Sequence, residues 1–139
     1  MSDVALPDAE ALVVAYLADR LDGVTVSTRL PNPLPGHHVR VRRTGGSASL
    51  GAAAPNRAVD QAQLTCEAYG PDTVTAGALA RRAQHLLHRA ATRTGIALAR
   101  SVSTVGGPYY DPDPVSGRER YTLTVRVLLR GTTTRDEER

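Results

Sequence analysis

Residues 60–95 read DQAQLTCEAYGPDTVTAGALARRAQHLLHRAATRTG. Two periodicities meet in this stretch. From about Asp60 to Tyr69, Ala62, Leu64, Cys66 and Ala68 face one way, and Gln61, Gln63, Thr65, Glu67 and Tyr69 the other. A period of two marks a strand with one face in a core. Gly70-Pro71-Asp72 is a turn. From about Thr73 to Thr94, Leu79, Ala83, Leu86, Leu87, Ala90 and Ala91 fall on one narrow helical stripe. Arg81, Arg82, His85, His88, Arg89 and Arg93 line the rest. Asp72 or Thr73 can cap this helix, and Gly95 ends it.

The same signals extend outward. Ala9, Leu12, Val13, Tyr16, Leu17 and Leu21 predict a first helix from about Asp8 to Leu21, with Gly23 as its stop. A strand follows at about Val24 to Leu30. Pro31, Pro33 and Pro35 then forbid regular structure. From His38 to Thr44, Val39 and Val41 alternate with Arg40 and Arg42, and Gly45-Gly46 ends that strand. Residues 45–59 are small and featureless, which predicts a long loop that is disordered or reaches a partner. After the second helix come a strand at about Ile96 to Val105, a Pro/Gly/Asp-rich excursion from Gly106 to Gly117, and a long strand from Arg118 to Arg130. In that last strand Tyr121, Leu123, Val125, Val127 and Leu129 share one face.

The order is α-β-β-β-α-β-β. Strands outnumber crossovers, so the sheet should be mostly antiparallel, with about five strands. Each helix has one apolar stripe, and the two together can cover one sheet face. The expected fold is an α+β two-layer sandwich. At 139 residues the chain is a single domain, residues 1–139, with residues 1–7 and 132–139 as flexible ends.

Composition excludes several classes of function. Hydrophobic residues make up 41% of the chain, too many for a disordered one. One cysteine, Cys66, rules out an internal disulfide and a multi-cysteine zinc site. Met1 to Asp8 carries two acids and no basic segment, and no apolar run approaches the ~20 residues of a membrane span. Neither a signal peptide nor a membrane partner is expected, and assembly should occur in a cytoplasm. His37 and His38 point to opposite faces of a strand, and His85 and His88 sit among arginines that repel a cation, so no metal ligands are assigned. Asp111 and Asp113 occupy a proline-stiffened turn without a pocket to separate their pKa values. No phosphate-loop, dinucleotide, zincin or nucleophile-elbow motif occurs. The reading is no catalytic residue, no cofactor and no enzyme. All 17 basic side chains are arginine, for a net charge of +3. The stripe Arg40, Arg42 and Arg43, with Arg126 and Arg130, reads as a solvated or salt-bridging sheet face, with phosphate contact as the alternative.

RLPNPLPGHHVRVRRTGG (29–46), VDQAQLTCEAYG (59–70) running into ALARRAQHLLHRA (78–90), and DPVSGRERYTLTVRVLLRG (113–131) together form a pattern. It resembles the tail terminator, or tail completion, proteins of long-tailed bacteriophages, over about Asp8 to Gly131. The resemblance implies a virion protein, assembled in the host cytoplasm. It would form a homo-oligomeric ring, commonly six-fold, at the head-proximal end of the tail. That ring ends tube polymerisation and offers a surface to the head. The implied partners are the major tail tube protein, the head–tail connector or stopper protein and the tape measure protein. Genomic DNA would pass through the lumen without sequence-specific binding. Candidate interface residues are Arg40, Arg42, Arg43, Arg126, Arg130, Leu50, Tyr109, Tyr110, Asp111 and Asp113. The alternatives are a connector stopper or other minor tail protein, and a small arginine-rich nucleic-acid-binding protein.

Overall fold

Asp8 opens the first helix by accepting a hydrogen bond from the Ala11 N–H at 3.1 Å. The computed structural model describes residues 2–49, 58–90 and 99–135. Its elements are β1 (Ser2–Ala5), α1 (Ala9–Arg20), β2 (Thr25–Ser27), β3 (His38–Ser49), β4 (Val59–Gly70), α2 (Thr73–Ala90), β5 (Ala99–Tyr110), β6 (Glu119–Arg130) and β7 (Thr132–Arg135). Five strands form one sheet in the order β2-β3-β4-β6-β5. Among the described residues only the β2–β3 pairing is parallel. β4 and β5 both run antiparallel to β6, so they are parallel to each other. The segment β4-α2-β5 is therefore a crossover unit with β6 inserted between its strands. The expected α+β sandwich is what the chain adopts: both helices pack on one face of a mostly antiparallel sheet.

The alternation seen in sequence decides which face is covered. Val39 and Val41 from β3, Ala62, Leu64 and Cys66 from β4, and Leu123, Val125, Val127 and Leu129 from β6 are all buried beneath the helices. They meet Val13 and Leu17 of α1 and Ala83, Leu86 and Leu87 of α2. Tyr16 is the polar tie between the helices, its hydroxyl donating to the Leu86 carbonyl at 2.6 Å. Cys66 lies wholly inside this core, and burial pushes its thiol up to about 12. The turn from β4 to α2 is tight. A Cβ on Gly70 would come within 2.8 Å of the Ala76 backbone nitrogen, and Asp72 caps α2 by accepting from the Thr75 N–H at 2.7 Å.

Several boundaries differ from the sequence reading, beginning with the strand expected at about Val24 to Leu30, of which only Thr25–Ser27 is β2. Residues 45–49 continue β3 rather than starting a loop, and Val59 already belongs to β4; residues 50–57 lie outside the described residues. A register shift between Arg43 and Gly45 and a positive φ of 90° at Gly46 carry β3 past the two glycines that looked like its end. Residues 106–110 of the expected excursion belong to β5, which leaves residues 111–118 as the connection to β6. The chain ends, expected to be loose, pair antiparallel as β1 and β7. No helix of the described residues is long and apolar enough to cross a membrane.

Candidate interaction surface on the uncovered sheet face

The helices leave the second face of the sheet open. Strand register arranges its side chains in cross-strand rows: Arg40–Glu67–Thr122–Tyr109, then Arg42–Thr65–Thr124, then Gln63–Arg126–Ser103, then Ser47–Gln61–Leu128–Ser101, then Ser49–Val59–Arg130. Hydroxyls link three strands across the second row and its flank: Thr44 to Thr65 at 2.9 Å and Thr65 to Thr124 at 3.1 Å.

One end of this face is roofed by two loops, the proline-rich segment after β2 and residues 111–118. Arg118 fastens the first, donating to the carbonyls of Leu34, Pro35 and Gly36 at 3.3, 2.9 and 3.0 Å. Asp111 and Asp113 fasten the second. The Asp111 Oδ2 accepts from Arg120 at 3.1 Å and from Thr122 at 2.8 Å. Asp113 accepts from the Val115 N–H at 3.0 Å and the Ser116 hydroxyl at 2.9 Å. Burial alone would push the Asp113 carboxyl up; these bonds and the Arg120 charge prevail and hold it below its ordinary value.

Glu67 stands at the centre under this roof. It accepts from Arg40 Nε at 2.6 Å, from Arg120 at 3.3 Å and from Arg42 at 3.4 Å. A cleft of about 600 Å³ opens beside it, lined by Arg40, Glu67, Asp111, Asp113, Val115 and Arg120 among others, so the turn expected to lack a pocket borders one. Tyr69, fully buried beneath, donates weakly to Asp113 at 3.5 Å; burial raises its pKa, while the hydrogen bond from Arg120 pulls the other way. Three guanidinium groups, of Arg40, Arg42 and Arg120, thus meet two carboxylates, Glu67 and Asp111, in one network, and Asp113 joins it through the Tyr69 hydroxyl. Such a network orders loops.

His38 is buried at the same end, its two ring nitrogens facing Thr25 Oγ1 at 2.5 Å and Ser27 Oγ at 3.2 Å. Burial holds the imidazole below its ordinary pKa, the Arg40 charge adds to that, and the Arg29 backbone opposes it. His88 turns to Thr104 at 2.8 Å. No group of three His, Cys, Asp or Glu among the described residues could hold a metal ion.

The candidate interface residues separate as follows. Arg40, Arg42, Arg126 and Arg130 share the open face with Tyr109. Arg43 does not join them. It falls on the helix side with Val39 and Val41, its guanidinium forking onto the buried Asp60 at 2.6 and 2.7 Å while its N–H donates to Glu10 of α1 at 2.7 Å. Tyr110 also turns to the helix side, packing by Tyr121 and donating to Glu119 at 2.8 Å. Leu50 lies outside the described residues.

Sequence reasoning passed over Glu67, Asp60 and Arg118 as contacts. The run GRERY, residues 117–121, works by alternation. Arg118 and Arg120 pin loops on the open side, while Glu119 and Tyr121 face the helix side, Glu119 accepting from Thr73. No family model and no curated protein matches the chain.

Proposed function

We propose that the chain is a tail terminator subunit, a structural virion protein that closes with copies of itself into a ring at the head-proximal end of a phage tail tube. The observation that carries this reading is the division of the sheet into one helix-packed face and one broad polar face whose loops are pinned by internal ion pairs. A subunit acting by shape needs that: a stiff core, ordered contact loops, and a large surface left for neighbours. Repeating one head-to-tail contact closes a ring when the rotation per subunit divides the circle. Such a ring caps the tube if one side docks on the tube subunit and the other presents a different surface to the connector. The β3–β4 hairpin and the 111–118 loop are the elements to reach the tube, the connector or the next subunit. No chemical step is assigned to the protein. Its place is the virion, at the tail collar, after assembly in the host cytoplasm.

Imaging of particles carrying a tagged copy tests the placement. Density for the tag at the junction of tail tube and connector is the expected result. A tag on the connector's head side points instead to a stopper, and one elsewhere in the particle ends the reading.

A further inference from the structure

We propose that the open sheet face beyond Glu67 is a docking surface for the backbone of double-stranded nucleic acid. Past Glu67, no open-face position on β3, β4 or β6 holds a carboxylate. The side chains there are Arg, Gln, Thr and Ser, with Val59 and Leu128 as the apolar members. Arg126 and Arg130 are exposed and make no ion pair among the described residues, and Arg42 is 46% exposed, held by Glu67 at only 3.4 Å.

A patch of one sign edged with hydrogen-bond donors suits a polyanion. The helix layer is also basic at Arg81 and Arg82, but its charge is mixed: Arg82 lines the same hollow as Asp22, with Asp19 exposed on α1 nearby. Strand geometry fixes the grain of the patch. Steps of about 6.7 Å per residue pair and about 4.8 Å between strands put Arg126 and Arg130 roughly 13 Å apart, and Arg42 roughly 12 Å from Arg126. Duplex DNA carries one charge per about 1.7 Å of axis, so the grip is loose. A five-stranded sheet is too broad for a groove that admits a helix or a two-stranded ribbon, so contact falls on the sugar-phosphate backbone and is blind to sequence. Tyr109, in the Glu67 row, is the one aromatic in these open-face rows, and the rows beyond it hold none, which is too little for stacking single-stranded bases. In a ring, the roofed end and its loops would meet neighbours and only the part of the face beyond Glu67 would turn to the channel; that placement rests on the terminator reading, whereas the binding does not.

The test is a salt titration of the full-length protein on a short random-sequence duplex. Three neutralised phosphates give a slope of about −2.7 per bound subunit, which is about a 40-fold loss of affinity between about 50 and 200 mM salt. Arg126→Gln and Arg130→Gln should each lower the slope by about 0.9, and the pair Arg81→Gln/Arg82→Gln should leave it unchanged. Thermal melts by circular dichroism confirm that the variants, all at exposed positions, stay folded. Four results overturn the proposal: no binding at low salt, an unchanged slope in Arg126→Gln and Arg130→Gln, an equal drop in the helix pair, or tighter binding to single strands. Tail length in particles is a separate readout, so the two proposals fail independently.

Discussion

Replacing Glu67 with Gln keeps the shape of the side chain and removes the one carboxylate on which three arginines converge. Arg120 is 12% exposed and keeps Asp111 at 3.1 Å, so it stays partly compensated. Arg40, 20% exposed, loses the only ion-pair partner it has among the described residues. Removing one member of a buried pair costs about 3–5 kcal/mol, and the surviving Asp111 contact puts Glu67→Gln at the low end, about 3 kcal/mol. At this chain length that is a fall in Tm of about 9 °C. Arg42→Ala is the control: its side chain is 46% exposed and 3.4 Å from Glu67, so it should cost less than about 1 kcal/mol. Equilibrium urea unfolding at neutral pH, with equal m-values across the set, reads both. A loss below about 1 kcal/mol for Glu67→Gln, or one no larger than for Arg42→Ala, refutes the claim that Glu67 organises the roofed end.

Other outcomes follow from single contacts. The folded-state pKa of His38 is depressed, so the unfolded chain binds the extra proton. Stability is fully present above the ordinary histidine value of about 6.5 and declines as pH falls below it; the urea midpoint should drop between pH 7.5 and pH 5 and do so less in His38→Gln. Gly46→Ala places a Cβ 1.9 Å from the Gln61 carbonyl oxygen at a φ of 90°, and should cost about 1–3 kcal/mol or more, whereas Gly36→Ala, with nothing within 4 Å, should be near neutral by the same melt. Tyr16→Phe strips the 2.6 Å bond to Leu86 and should cost about 1–3 kcal/mol in chemical denaturation. Cys66 should resist a thiol reagent in the native protein and react promptly in denaturant, because the buried thiol sits at about 12.

The layers of the fold were legible because period two and period 3.6 are local signals. Ala62, Leu64, Cys66 and Ala68 announce their face without knowledge of any other strand. Arg43 was legible in part: alternation alone sets it beside Val39 and Val41, but its reason for being there is Asp60, 17 residues away across the hairpin. Glu67 and Arg120, 53 residues apart, look in sequence like ordinary polar positions on two strands, and only the register of β4 on β6 brings them together. Gly45-Gly46 misled in the other direction. Paired glycines usually stop a strand, yet here a register shift and a left-handed φ let the ladder continue.

The central claim is that this chain ends tube growth by capping it, and tube length in particles assembled without the protein tests it most directly. The account predicts tubes of abnormal and variable length with no heads attached, and recovery of uniform length when the protein is supplied. Tails of normal length joined to heads in its absence would contradict it.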